Sequence, residues 1–200
     1  MAKRLTLIIA LLIMVGSLSG CTVIFQKGRR TDVEKISKLK NELSELERAK
    51  AELEDRLQRE ISDKEVKVEN LERGLVITFV ADVLFDSGKA ELRTDSHDRL
   101  SKVASVLQTT VRDLNVGIEG HTDSDPIKHS PWKDNWELST QRSLSVLRYL
   151  VANHNLEAER LSATGYGEMH PVAANNSKEN KQKNRRVEIV ILPKTEKEGR

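Results

Sequence analysis

The sequence has one cysteine, few aromatic residues and almost no net charge. The single cysteine, Cys21, cannot form a disulfide within the chain. Aromatic residues make up 4% of the 200 positions and charged residues 32%, a composition that indicates an exposed, charged helix beside a globular part. The 33 basic and 31 acidic residues leave a net charge of +2, which gives no electrostatic reason to expect nucleic acid as a partner.

Long hydrophobic runs are also missing, apart from one at the N-terminus. Lys3 and Arg4 precede the apolar stretch 5–15, which leads into LSGC at residues 18–21. A basic start followed by a short apolar stretch and small residues is typical of a secretory signal. The stretch is shorter than the roughly 18 apolar residues of a transmembrane span. A short membrane anchor that stays attached is the alternative.

The LSGC segment resembles the lipobox of bacterial lipoproteins. The resemblance implies a signal peptide over 1–20 and acylation of Cys21, with palmitate among the acyl chains. Thr22, rather than aspartate, follows the cysteine, which in that family fits sorting to the outer membrane. Several acyl chains hold a membrane far better than one. We therefore expect an anchor on the periplasmic face of the outer membrane, with 21–31 as a lipidated tether.

Residues 32–71 contain no glycine or proline and are rich in Glu, Lys, Leu and Arg. Apolar residues recur in steps of three and four, the heptad pattern of a coiled coil, at Ile36, Leu39, Leu43, Leu46, Leu53 and Leu57. Lys50 interrupts the series. The pattern predicts a helical spacer of roughly 60 Å at 1.5 Å per residue. It is either a homo-oligomeric coiled coil or a single helix that stands free or lies on the next domain.

A different pattern follows Gly74. Alternating, β-branched and aromatic residues predict four strands, at 75–81, 114–120, 161–165 and 186–192. Between them we expect a helix capped by Asp95, a long helix opened by Asp134 and Glu137, and a short helix within 173–184. The order β-α-β-α-β-(α)-β predicts an α/β two-layer sandwich with helices on one face of a mixed sheet.

The stretch GHTDSD, 120–125, places a histidine, a threonine and two carboxylates at a strand end. A metal site would need more ligands than His121 and Asp123, and no other His or Cys pair has ligand spacing. Asp123 and Asp125 would be an acid–base pair without a nucleophile motif. We therefore expect no catalytic residue, metal or cofactor here, and a ligand-binding site is the third interpretation of these residues.

Five segments resemble, in order and spacing, the OmpA-like peptidoglycan-binding domain that flagellar stator proteins of the MotB type also carry. They are LFDSGKAEL, GHTD, NWELSTQRS, LSATGYGEMHP and NRRVEI. The resemblance covers 75–192 and leaves 193–200 as a disordered tail. The long loop SDPIKHSPWKDNWELS is more similar to the MotB version than to the short loop of Pal-type lipoproteins.

The resemblance implies binding to the diaminopimelate residue of the peptide stem. The free end of this residue carries an ammonium and a carboxylate, so its recognition takes an anion, a cation and fixed hydrogen-bond groups. Asp123 matches the family's binding aspartate and Arg142 its arginine. The further candidates matched to the family's site are Asn135, Asn184, Arg185, Thr122, Phe85, Ser87 and Asp86. Asp86 is alternatively a turn residue, and Arg185 a structural ion pair with the sheet.

Helical spacing supports Arg142 independently. Asn135, Ser139 and Arg142 lie four and three residues apart, so they share a helix face. That face is roughly opposite the apolar stripe Leu144, Leu147 and Val151, which predicts an arginine that the core does not need.

The expected function is to hold the outer membrane to the cell wall without covalent chemistry. A subunit of a stator-like or other trans-envelope complex is the alternative, although stators use an acidic residue in a transmembrane helix and 5–15 has none. A wall hydrolase is less favoured, because no catalytic groups are found.

Overall fold

A computed structural model describes residues 31–128 and 130–193. The predicted signal peptide, Cys21 and the tether up to residue 30 lie outside the described residues, as does the tail from residue 194. The chain divides into two units whose boundary falls between Leu43 and Ser44. In the first unit, residues 31–43 are helical. Across the described ranges, no helix is both long and apolar enough to span a membrane.

The second unit is an α/β fold around one five-stranded sheet of order β1-β2-β5-β3-β4. Its strands are β1 Val66–Leu71, β2 Gly74–Val80, β3 Asn115–His121, β4 Leu161–Gly165 and β5 Arg186–Leu192. Neighbouring strands are antiparallel except β3 and β4, which are parallel. The two-layer α/β class is confirmed, and the four predicted strands agree with β2 to β5 within one residue.

The helices of this unit are α1 (44–56), α2 Gln58–Ser62, α3 Ser96–Thr109, α4 Asn135–His154 and α5 Lys178–Asn184. Short 3₁₀ turns follow β2 at Ala81–Val83 and precede β4 at Ala158–Arg160. Asp134 caps α4 as predicted, since its side chain accepts from the Glu137 backbone N–H at 2.9 Å. Asp95 stands at the N-cap of α3 without a capping hydrogen bond and pairs with Arg93 instead.

The prediction of one helical spacer over 32–71 is wrong at its C-terminal end. The helical part ends with α2 at Ser62, and Lys64, with φ of 59°, turns the chain into β1. Val66 and Val68 are buried while Lys67 is exposed, which is the alternation of a strand. The charged residues around them hide this short pattern in the sequence. Pairing with β2 over six residue pairs overrides the local helix preference.

The second half of the predicted coiled-coil seam belongs to the domain core. Ala49, Leu53 and Leu57 are fully buried in the same cluster as the sheet residues. For this stretch the structure agrees with the alternative of a helix that lies on the neighbouring domain. Ile36 and Leu39, in the first unit, are more than half exposed. Oligomerisation through 32–71 therefore stays a prediction that rests on the residues before Ser44.

The core lies between the sheet and the helices. The largest buried side chains include Phe79, Ile77 and Ile118 from the strands and Leu100 and Leu150 from the helices. Each such side chain contributes about 1.5–3 kcal/mol on burial.

The core-facing line of α4 is Leu138, Arg142, Val146 and Leu150, all buried. The predicted stripe of Leu144, Leu147 and Val151 is only half-buried. Leu147 and Val151 each follow a residue of the buried line by one position, which is about 100° around the helix. The prediction that Arg142 faces away from the core is therefore wrong. Arg142 lies on the same line of the helix as the core residues, one turn after Leu138, which is the first residue of that line.

Two glycines let the start of α4 lie directly on the strand ends. A Cβ at Gly120 would stand 2.1 Å from the Ser139 carbonyl oxygen, and one at Gly165 would stand 2.2 Å from Thr140 Oγ1. Real Cβ atoms do not approach so closely, so side chains at these positions would push the helix off the sheet. The close approach brings the first turns of α4 beside the residues that follow β3.

Candidate functional site

A pocket of about 660 Å³ opens between the loop after β2, the segment after β3 and the first turns of α4. The structure brings eight of the nine predicted ligand-binding residues to its wall, namely Phe85, Asp86, Ser87, Thr122, Asp123, Asn135, Arg142 and Arg185. The ninth, Asn184, is buried elsewhere. Its amide accepts from the backbone N–H groups of Val172 and Ala173 at 2.9 and 3.0 Å, and so holds the chain segment before α5.

Asp123 is buried and already hydrogen-bonded. Its Oδ2 accepts from Arg185 Nη1 at 2.8 Å, and its Oδ1 accepts from the Asp125 backbone N–H at 3.0 Å. Arg185 also donates from Nη2 to Asp82 Oδ2 at 3.2 Å. Arg185 thus forms ion pairs, as one interpretation expected, but with carboxylates of the pocket. The ion pair on the sheet is made by the next residue, Arg186, with Glu188.

Arg142 is a buried cation of the pocket that no carboxylate contacts among the described residues. It is 4% exposed, and its Nε donates to the Lys89 carbonyl oxygen at 2.9 Å. Nη2 reaches the Asp86 carbonyl oxygen at 3.5 Å, and the guanidinium carbon lies 5.2 Å from the centre of the Phe85 ring. Within residues 31–128 and 130–193 it makes no salt bridge. A buried cation with neutral partners is costly, so this geometry favours an added anion.

Burial lowers the pKa of Arg142 to about 10, and the negative charge of Asp82 is the largest influence in the opposite direction. The guanidinium therefore remains charged at neutral pH. A bound carboxylate would remove the imbalance and could accept two hydrogen bonds from it.

Asn135 and Thr122 hold the backbone of the site. Asn135 Nδ2 donates to the Asp125 carbonyl oxygen at 3.0 Å and to Glu168 Oε2 at 2.6 Å. Thr122 donates its hydroxyl to the Asp123 carbonyl oxygen at 2.9 Å. Both side chains therefore fix the segment that carries Asp123.

The long loop after β3 forms the outer wall of the pocket, to which Pro126, Ile127 and Lys128 contribute. Trp132 pins the far end of this loop by donating its indole N–H to the Gly88 carbonyl oxygen at 2.8 Å. The near end is held by Lys181, which pairs with Asp125 at 2.7 Å.

Asp82, Arg93 and Lys128 also line the pocket, and sequence reasoning did not single them out. Arg93 and Lys128 are ordinary surface cations by sequence. Asp82 follows a strand, which by itself is only a weak indication of a binding site. Its ion-pair partner, Arg185, lies 103 positions further along the chain, so no local sequence pattern connects the two.

His121 lies outside the pocket. It is 3% exposed and stacks on Tyr166 with ring centres 5.2 Å apart, and neither ring nitrogen has a hydrogen-bond partner in the described part of the chain. Its ligand atoms lie within 4.8 Å of those of Glu119 and Glu188, a set that could hold a metal ion. However, Arg73 bridges both carboxylates, and Arg186 also pairs with Glu188. The guanidinium groups supply the positive charge that a metal would bring.

The fold is a sheet covered by helices, with a pocket at the strand ends whose charged lining suits a small charged ligand. Residues 84–185, about half of the chain, match the OmpA family. The chain belongs to the OmpA family, and its domain is of the OmpA/MotB C-terminal, peptidoglycan-binding type that the five sequence segments predicted.

The relatives include motility and wall-anchor proteins. Motility protein B of Bacillus subtilis is 39% identical over 150 residues, which are 75% of this chain and 57% of that protein. The chain spans about half the length of the curated relatives it matches. A MotB-like protein of Desulfovibrio vulgaris has a TM-score of 0.70 and 29% identity over 78% of this chain and 98% of its own. The cell wall anchor of the T6SS from Pseudomonas aeruginosa has a TM-score of 0.64 and 33% identity over 71% and 97%.

Proposed function

We propose that this protein binds peptidoglycan without cleaving it, through the free end of diaminopimelate in the peptide stem. Asp123 takes the ammonium group and Arg142 the carboxylate. The observation that carries the proposal is the buried guanidinium of Arg142, whose partners among the described residues are carbonyl oxygens and an aromatic ring. A ligand carboxylate provides the missing counter-charge, and bonds between charged partners are the strong ones.

The dimensions of the pocket support the same ligand. Its volume of about 660 Å³ lies within the range of roughly 300–1,000 Å³ of small-molecule sites. That is ample for the zwitterionic end of one residue and the neighbouring stem backbone. A lysine at the same place in the stem lacks the distal carboxylate and would leave Arg142 uncompensated.

Membrane attachment through Cys21 is the second part of the proposal. The LSGC segment supports lipidation, and Thr22 supports sorting to the outer membrane. With a lipid at one end and a wall-binding domain at the other, the protein links the outer membrane to the wall from the periplasm. We propose no enzymatic activity, in keeping with relatives that are motility and wall-anchor proteins.

A second candidate function is that of a subunit in a trans-envelope complex. The match to Motility protein B favours it, because it extends over 75% of this chain. The structural likeness to a secretion-system wall anchor points in the same direction. In both candidates the domain performs the same task, and they differ in what the N-terminal residues hold.

The test uses the full chain in detergent and purified sacculi whose stems contain diaminopimelate. We expect the wild-type protein to sediment with sacculi and to release no soluble fragments. Arg142→Gln should bind about thirtyfold more weakly, since removing one member of a desolvated charge pair costs about 2–5 kcal/mol. Arg148→Gln, an exposed arginine of the same helix, is the matched control and should bind normally. Full binding by Arg142→Gln would overturn the proposal, and released fragments would contradict its non-enzymatic part.

A further inference from the structure

Arg185 is held by two carboxylates at once, from two different elements of the fold. Asp123, just past β3, accepts from Nη1 at 2.8 Å, and Asp82, in the 3₁₀ turn after β2, accepts from Nη2 at 3.2 Å. The backbone N–H of Ala81 donates to the Arg185 carbonyl oxygen at 2.9 Å, which fixes this arginine beside the turn. The two ion pairs therefore share one guanidinium at the pocket wall.

This arrangement conflicts with the simplest binding of a ligand ammonium. Both oxygens of Asp123 already accept hydrogen bonds, and its side chain is only 9% exposed. Because so little of this carboxylate is accessible, the position that an ammonium group takes on Asp123 is the one that Nη1 of Arg185 occupies in the free protein. Loss of this ion pair would leave the Arg185 guanidinium without a counter-charge in a half-buried site, which is costly unless another anion binds it.

We propose that Asp82 is a positioning residue of this site, which retains Arg185 when the ligand ammonium replaces Arg185 on Asp123. Nη1, once released, turns to the ligand carboxylate beside Arg142. Binding is then an exchange of ion pairs in which no charge loses its partner. This inference rests on the proposed function and adds to it a carboxylate that belongs to none of the five matching sequence segments.

The charges of the pocket agree with such an exchange. Before binding, Asp82 and Asp123 both hold Arg185 and no carboxylate within the described ranges contacts Arg142, and a zwitterion adds one charge of each sign. Afterwards Asp123 holds the ammonium, the two arginines hold the carboxylate, and Asp82 still holds Arg185. Asp82 also stabilises the other arginine, because its charge is the main influence that keeps the pKa of Arg142 from falling further.

Asp63 provides a matched control away from the pocket. Its side chain is 57% exposed, against 47% for Asp82, and like Asp82 it pairs with an arginine, Arg59. Asp63 is not among the residues that line the pocket.

The experiment measures the affinity of the full chain for free meso-diaminopimelate by calorimetry and for diaminopimelate-containing sacculi by sedimentation. We expect Asp82→Asn to weaken both by about five- to tenfold, because a half-exposed pair is worth less than a buried one. Asp63→Asn should stay within about twofold of wild type, and Asp82→Glu should recover most of the affinity. The urea midpoints of these three variants should stay close to that of wild type, since a partly exposed pair contributes about 0–1 kcal/mol.

A double-mutant cycle separates positioning from a general electrostatic effect. In an Arg185→Gln background, Asp82→Asn should change the affinity by less than about twofold, because its partner is gone. An unchanged affinity of Asp82→Asn, or the same loss in both backgrounds, would overturn the inference while leaving wall binding in place. A wild-type chain that binds neither ligand would instead reject the proposed function and this inference with it.

Discussion

The indole N–H of Trp132 donates to the backbone carbonyl oxygen of Gly88 at 2.8 Å, across 44 residues of sequence. This bond joins the long loop after β3 to the loop that carries Phe85 and Ser87, so two walls of the pocket depend on each other. A net contribution of about 0.5–1.5 kcal/mol is typical of one such bond.

Trp132→Phe should therefore weaken binding to sacculi by about two- to tenfold, since the loop loses its tie while the aromatic bulk remains. Sedimentation with sacculi measures this. Trp136→Phe is the control, because Trp136 is 47% exposed and no hydrogen bond of its indole is seen in the described residues. Equal losses in both variants would show that the bond does not shape the pocket.

Gly120→Ala should destabilise the domain, whereas Gly117→Ala on the same strand should not. A Cβ at Gly120 would stand 2.1 Å from the Ser139 carbonyl oxygen, but one at Gly117 would find its nearest atom at 3.8 Å. Overpacking of this kind costs about 1–3 kcal/mol or more. Urea unfolding of the two variants gives the comparison. A Gly120→Ala protein as stable as wild type would mean that α4 does not rest on β3 as described.

Stability should distinguish the two halves of the predicted spacer. Leu53→Ala should lower the free energy of unfolding by about 2–5 kcal/mol, because Leu53 is fully buried in the core. Leu39→Ala should change it by less than about 0.5 kcal/mol. If the first half forms a coiled coil, serine at Leu39 and Leu43 should also abolish self-association in sedimentation experiments. A large loss of domain stability in Leu39→Ala would contradict this division.

Stability should fall as the pH drops below 6.5, because of His121. Burial lowers the pKa of His121 to about 3, whereas a free histidine has a pKa of about 6.5. Between these values the unfolded chain binds a proton that the folded chain excludes, so acid favours unfolding. From pH 7 to pH 5 the expected loss is about 2 kcal/mol. The groups that act on the ring are Arg186, Glu188, His170 and Arg73.

Urea unfolding at pH 7 and pH 5 checks this prediction. The window lies above the usual range of carboxyl groups, so their protonation contributes little there. His121→Asn should lose much less stability over the same interval, whatever its stability at pH 7. An equal loss in both proteins would assign the acid sensitivity to other groups.

Cys21→Ser should move the protein out of the membrane fraction, because the acylated residue of the predicted lipobox is removed. Mass spectrometry of the mature N-terminus tests the same point in the wild type. An unprocessed N-terminus without acyl mass on Cys21 would reject the lipid anchor. It would leave wall binding by the domain unaffected.

Local patterns predicted most of the fold. The strand at 186–192 and the cap at Asp134 were correct because alternation and capping are properties of neighbouring residues. β1 was missed because two valines among charged residues give too short an alternation of apolar and polar positions to predict a strand. Only the pairing with β2 defines it. The burial of Arg142 was missed because α4 has apolar residues along two lines of its surface. Packing on the sheet, which the sequence of the helix does not show, decides which of the two lines faces the core.

The candidate site was predicted as a set of residues, but its ion pairs were not. The resemblance placed Asp123, Arg142 and Arg185 in one site, which agrees with their positions around the pocket. It gave no indication that Arg185 joins Asp123 to Asp82, because that contact depends on how three strand ends meet.

The packing of α1 on the core has a mechanical consequence. Tension applied at the N-terminal side of this domain loads α1 first, where Ala49, Leu53 and Leu57 are buried and Glu52 accepts from the Thr110 hydroxyl. Next along the chain come α2, with the pair Glu60–Lys102, and then the edge strand β1. None of these elements lines the pocket. Force applied at this N-terminal side therefore passes through the packing and ion pairs of residues 44–71 before it reaches the residues that line the pocket.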